Sequence, residues 1–183
     1  RNSKMQVAKK YVANWNEMKK NGLGLLLWGS VGSGKSYMAA CVANELIKQG
    51  ADVKMTNFAT VLNDLFNCED KNEYIRSLCR YSLLILDDLG IERNTEYSLE
   101  NLFNVIDARY VSGKPMIITT NLHINELMNQ KQLSLKRIYD RVLERSMPVC
   151  VSENDIRKEK REEAKVKFGK IINGGKMDEE KYE

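Results

Sequence analysis

The residues best equipped for chemistry lie in one short run, Gly29-Ser30-Val31-Gly32-Ser33-Gly34-Lys35-Ser36. It fits G-x-x-x-x-G-K-[ST], and each residue type has a physical reason to be there. Glycine admits backbone angles that a Cβ forbids, so successive N–H groups can turn toward one anion. A helix opening near Gly34 adds its positive dipole end. Lys35 supplies a mobile cation for β- and γ-phosphates, and the Ser36 hydroxyl is placed to ligate Mg²⁺. The run Gly29 to Ser36, with Tyr37 beside it, is therefore the expected binding segment for ATP or ADP. A flexible glycine turn is the plain alternative. The flanking apolar run and the helical pattern that follows supply the context a phosphate loop needs.

Two polar strand ends belong with this loop. In Leu83-Leu84-Ile85-Leu86-Asp87-Asp88, buried aliphatics push two carboxylates out at the carboxyl edge of a sheet, where ligands of α/β folds bind. Asp87 would hold Mg²⁺, directly or through water, and Asp88 would polarise the attacking water. Glutamate reaches one methylene further than aspartate, so slow turnover is expected. The competing reading is a pair of solvated aspartates at a turn. Met116-Ile117-Ile118-Thr119-Thr120-Asn121 is a second apolar run with a polar end. Asn121 is either a turn residue or a sensor that bonds the γ-phosphate or the water, since an amide donates and accepts without charge.

Cationic candidates come later. Arg137-Ile138-Tyr139-Asp140-Arg141 puts two arginines four apart, on one face of a helix. They form either a solvated basic edge, where Asp140, Glu144 and Arg145 make ordinary surface pairs, or a finger offered to ATP on a neighbouring protomer. Guanidinium suits the second task because it stays charged and forks onto phosphate oxygens. Arg157, in Arg157-Lys158-Glu159-Lys160-Arg161, is a second phosphate sensor or part of a solvated helix.

Something must position these groups, and the chain alternates strands with helices to do so. Apolar runs predict strands at Leu23–Trp28, Ala51–Thr56, Leu83–Leu86, Met116–Thr119 and Pro148–Val151. Helical spacing predicts Met5–Lys20, Lys35–Gln49, Ala59–Phe66, Asn72–Arg80, Glu96–Val111 and Leu133–Arg145. On Glu96–Val111 the expected buried stripe is Leu99, Leu102, Phe103, Ile106 and Tyr110. Such alternation implies a parallel sheet covered on both faces. A charged helix at about 153–170 and a loose tail from 173 to 183 complete the expected single domain, 1–172.

Composition narrows the class. The sequence has 183 residues, 43% hydrophobic and 30% charged, which fits a water-soluble globular chain. No apolar run approaches a bilayer span, so no membrane partner is expected. The net charge of +4 does not by itself argue for nucleic acid. Cys41, Cys68, Cys79 and Cys150 form no C-x-x-C pair and read as buried reduced thiols in a cytoplasmic protein. His123 is the only histidine, which disfavours a metal cluster.

In order and spacing, G-S-V-G-S-G-K-S, L-I-L-D-D-L-G, I-I-T-T-N and R-I-Y-D-R resemble the DnaC/DnaI helicase loaders and the related IstB transposition helper ATPases. The resemblance covers roughly Val7 to Lys165. It implies an AAA+ core of α/β class, with strand order 5-1-4-3-2 and a reduced C-terminal lid. It implies protomers that self-associate on ATP in a spiral, with Arg141 as the finger, Arg137 its companion and Arg157 the second sensor. It implies ATP hydrolysis in loading a replicative DNA helicase, contact with single-stranded DNA, and life in a bacterial or phage-infected cell. Loaders of this family grip the helicase through a separate N-terminal domain, and that contact is expected to lie in a region upstream of this sequence. For DNA, Lys71, Arg76 and Arg80 with Tyr74 and Tyr81 are the candidates, against a surface helix whose tyrosines pack inward. Glu92 and Arg93 could face a central pore and receive no role. A transposition helper acting on duplex DNA is the alternative. A small-molecule kinase fits less well, because it leaves R-I-Y-D-R without purpose. A non-hydrolysing ATP-binding module is the remaining reading.

Overall fold

A computed structural model describes residues 2–90, 95–151, 161, 163–168 and 171. Arg157, Glu92, Arg93 and the 173–183 tail lie outside these described residues, as does most of the 153–170 segment. Residues 163–168 are helical, as expected.

The elements run α1 (Asn2–Ala13), α2 (Trp15–Asn21), β1 (Gly24–Trp28), α3 (Lys35–Lys48), β2 (Val53–Asn57), α4 (Phe58–Asn67) and α5 (Lys71–Arg80). They continue with β3 (Leu83–Leu89), α6 (Glu96–Val111), β4 (Met116–Thr120), α7 (Ile124–Met128), α8 (Leu133–Arg145) and β5 (Ser146–Cys150). The strands form one sheet in the order β2-β3-β4-β1-β5, which is the expected order read from the other edge. Every pairing is parallel.

Alternation along the strands sorts the core into two layers. Leu26, Leu84, Leu86, Met116 and Ile118 face α4 to α8. Leu25, Leu27, Leu83, Ile85 and Ile117 face α1, α2 and α3, where Tyr11, Trp15, Val42 and Leu46 meet them. The inner strands are therefore apolar on both sides and read as unbroken runs. Edge strand β5 tolerates Pro148, which has no N–H for a ladder. In β1, Gly24 sits so close to β4 that a Cβ would lie 1.7 Å from the Met116 carbonyl oxygen. That close approach explains a glycine inside a strand.

Several expectations need correction. The first helix is broken at Asn14 (φ −105°, ψ 25°), whose side-chain amide donates to the Lys10 carbonyl. An asparagine that bonds its own helix backbone competes with the ladder. Strand β3 continues past the expected end, through the two aspartates to Leu89. Helix α7 escaped notice because five residues carry little periodicity; His123 accepts from the Asn125 N–H at its start. The four cysteines are free but only half-buried. Burial pushes the Cys79 thiol up from its usual range.

The largest surprise is on α6. Its buried face is Leu99, Leu102, Val105, Ile106 and Arg109. Phe103 and Tyr110, expected in that stripe, are only half-buried. Arg109 is fully buried. Its guanidinium donates to the carbonyls of Tyr81 (2.8 Å), Ser82 (3.0 Å) and Pro115 (2.7 Å), with longer contacts to Leu78 and Cys79. Burial lowers its pKa to about 10, still well above neutrality, so the group stays charged.

Candidate nucleotide site

The glycine-rich loop leaves β1 and enters α3 as the sequence implies. Gly32 and Gly34 take positive φ (79° and 95°), and Gly34 is the left-handed residue that opens the helix. A side chain at either place would be strained. Val31 and Tyr37 are exposed, whereas Ser33 and Lys35 are buried. The Lys35 ammonium donates to the carbonyls of Gly29 (3.0 Å) and Ser30 (2.8 Å) and to Asn121 Oδ1 (2.7 Å). A phosphate held by Lys35 is thus within reach of the Asn121 amide.

Asn121 follows β4, beside β1 and β3 in the sheet. Two buried threonines before it, missed in the sequence, organise the acidic strand end. Thr119 Oγ1 donates to Asp87 Oδ1 at 2.6 Å and accepts the Asp88 N–H at 2.8 Å. Thr120 Oγ1 donates to the Leu89 carbonyl at 2.7 Å and accepts the Leu122 N–H. The β3–β4 register shifts between Leu86 and Leu89, so the two aspartates form a bulge that these hydroxyls pin. Asp88 sits at φ 57°, a conformation that aspartate tolerates better than most residues. It is exposed, while Asp87 is half-buried. The polar pair inside I-I-T-T-N was the available signal.

Asp87 Oδ2 and the Ser36 hydroxyl make no hydrogen bond among the described residues. Both are hard oxygen donors that suit Mg²⁺, which keeps several waters and needs few protein ligands. The described residues hold no His/Cys/Asp/Glu group able to bind a metal without such help. Ser36 and Asp87 are the residues that would hold Mg²⁺, whose chemistry there would be neutralisation of phosphate charge. Past Asn121, the Trp28 and His123 rings meet edge-on at 4.6 Å between centroids.

Arg137 and Arg141 do share one face of α8, while Ile138 and Val142 turn into the core. Arg141 does not pair with Asp140 or Glu144. Its Nε donates to Asp107 Oδ1 on α6 at 2.6 Å. Both guanidiniums lie 4.8 Å from the Phe103 ring. Arg145 lies 5.1 Å from the ring of Tyr110, whose hydroxyl donates to Glu144 and is pushed up in pKa by that bond. On α5, Arg76 and Arg80 are tied to Glu73, which they hold below the usual carboxylate range. Tyr74 packs against the core and donates to Asp64. The inward-packed reading of that helix is therefore correct for Tyr74, and its arginines are already paired. Lys71 makes no ion pair among the described residues and lies 5.0 Å from the Tyr97 ring.

A phosphate loop after the central β1, an acidic end on β3 and a polar end on β4, in this strand order, define an AAA+ P-loop fold. The chain belongs to the family of IstB-like ATP binding proteins, whose model matches residues 3–164. It is 30% identical over 103 residues to protein Rv3427c of an insertion sequence in Mycobacterium tuberculosis, covering 55% of this chain and 41% of that one. It is 26% identical over 140 residues to the replicative helicase loader DnaC of Escherichia coli, covering 74% and 55%. Among solved structures it is similar to DnaI, with TM-score 0.67 and 25% identity over 82% of this chain and 80% of that one. The chain spans about half the length of the relatives it matches. No helix among the described residues is long and apolar enough to cross a membrane.

Proposed function

We propose that this protein is an ATPase that helps load a replicative DNA helicase onto single-stranded DNA, with ATP held between protomers and its hydrolysis releasing the assembly. The observation that carries the reading is the 2.7 Å bond from Lys35 to Asn121, which joins the phosphate loop to the sensor position beside a pinned acidic bulge. Lys35, Asn121 and Mg²⁺ on Ser36 and Asp87 would hold the triphosphate, and Asp88 would orient water. Arg141 and Arg137 would reach a neighbour's ATP. For such phosphoryl transfer, positioning and charge neutralisation are enough.

Asp88→Asn tests the hydrolytic part, because asparagine keeps the shape and also tolerates positive φ. ATP turnover should fall by ~100-fold, as expected for loss of a general base, with ATP affinity and melting temperature unchanged. Turnover at the original rate would reject Asp88 as the group that orients water.

A second reading, a transposition helper on duplex DNA, is favoured by the IstB-like family match and by Rv3427c. Fluorescence anisotropy with single-stranded and duplex oligonucleotides, with Mg-ATP, separates the two. A loader prefers the single strand; preference for the duplex selects the helper. Arg76 and Arg80 share the carboxylate of Glu73, whereas Lys71 beside Tyr97 has no ion pair among the described residues, so a single strand would meet there a cation beside a stacking surface.

A further inference from the structure

Helix α6 presents Phe103, Asp107 and Tyr110 at helical spacing toward α8, which answers with Arg137, Arg141 and Arg145. The two helices pack along this seam. A carboxylate thus stands between two rings, opposite three cations. Arg141 is held on several sides. Its guanidinium carbon is 4.8 Å from the Phe103 ring and 5.8 Å from the Tyr110 ring. Nε bonds Asp107 at 2.6 Å, and Nη1 donates to the Arg137 carbonyl at 3.0 Å. Nη2 makes no hydrogen bond among the described residues. Arg137 is exposed and rests on Phe103 alone among these groups.

This arrangement does little for stability. The Arg141–Asp107 side chains are 25% and 35% exposed, so solvent screens the pair and limits what it adds to stability. Its effect is orientation. A long side chain that must meet a phosphate across an interface loses rotamer freedom when it does so. A carboxylate that fixes the inner nitrogen, and a ring that fixes the guanidinium plane, remove much of that cost beforehand while leaving an outer nitrogen to donate.

We infer that Asp107 is a positioning residue, which holds Arg141 by Nε against the Phe103–Tyr110 shelf so that Nη2 is offered to the ATP of a neighbouring protomer. The inference rests on the between-protomer reading of Arg141 given above. Asp107 touches no nucleotide and acts through the arginine.

The test uses Asp107→Ala, Asp107→Asn, Arg141→Ala and the Asp107→Ala/Arg141→Ala double variant. Turnover is measured against protein concentration, and self-association is measured by sedimentation with a non-hydrolysable ATP analogue. Asp107→Ala should lower the turnover of the assembled form by ~10-fold and weaken assembly, as misplacement of a reacting group does. Its ATP affinity at low protein concentration and its melting temperature should not move, which a merely structural role would not permit. Asp107→Asn keeps an acceptor oxygen and should fall between. The double variant should be no worse than Arg141→Ala. If Arg141→Ala loses turnover while Asp107→Ala keeps or raises it, or if the two losses multiply, the positioning role is overturned alone. If Arg141→Ala itself changes neither turnover nor assembly, the between-protomer reading fails and takes this inference with it.

Discussion

Replacing Lys35 with alanine should reduce ATP affinity by at least ~100-fold, a loss of ~2.7 kcal/mol that isothermal titration can read directly. The expectation follows from where the ammonium sits. It is 4% exposed, at the base of the loop, with two backbone carbonyls and Asn121 as partners. Charge-assisted hydrogen bonds contribute roughly 1.5–3 kcal/mol each, more than neutral ones. Triphosphate would draw on two or more of them from this one group. Lys35→Arg separates charge from shape. The planar guanidinium keeps the charge but does not fit a buried socket shaped for a compact ammonium, so it should also bind weakly. Alanine further leaves the Gly29 and Ser30 carbonyls without their donor, so the melting temperature should drop by a few degrees, with circular dichroism otherwise unchanged. Affinity kept within ~3-fold in a folded Lys35→Ala variant would remove the nucleotide reading of the loop, because a smaller loss than one charged hydrogen bond means that phosphate does not lie there.

How legible this site was depends on the range of the interactions involved. The phosphate loop, the two aspartates and Asn121 could be read because local sequence dictates them: glycines where φ is positive, apolar strands that end in polar residues. The same alternation implied a parallel sheet, whereas the strand order came from the family resemblance. The threonine pins could not be weighed in the same way. Thr119 and Thr120 matter because β4 lies beside β3, a pairing that the chain reaches only through α6. Phe103 and Tyr110 look like core residues by helical spacing, yet three arginines on α8 turn them into a cation shelf. The partner of Arg141 is Asp107, 34 residues away, and not the adjacent Asp140. The same limit applies on α5, where Arg76 and Arg80 look available until their geometry to Glu73 is known.

Arg109→Met should be the most destabilising single change among the polar residues, at ~3–5 kcal/mol, because several buried carbonyls lose a donor at roughly 1–3 kcal/mol each. The position falls on the helical stripe Leu102, Val105 or Ile106, Arg109, so spacing alone would assign it an apolar side chain. The fold uses a cation there because two turns meet at that point and both leave carbonyls facing inward. Leu78 and Cys79 carry last-turn carbonyls of α5, Tyr81 and Ser82 lead into β3, and Pro115 leads into β4. One planar fork with five N–H donors satisfies them together and also places a positive charge at the carboxyl end of a helix. Methionine fills the volume of the stem but takes the guanidinium donors from the Tyr81 and Ser82 carbonyls and leaves Pro115 only the long bond from the Leu84 N–H. At ~2–4 °C per kcal/mol for a chain of this size, the melting temperature should fall by about 6–20 °C. Lysine has three donors on one nitrogen and should recover only part of the loss. The contacts lie where β3 and β4 begin, at the end of the sheet away from the phosphate loop. ATP affinity of the folded fraction should therefore be unaltered. A melting temperature within ~2 °C of the unmodified protein would mean that water or neighbouring N–H groups serve these carbonyls, and that the buried arginine is dispensable.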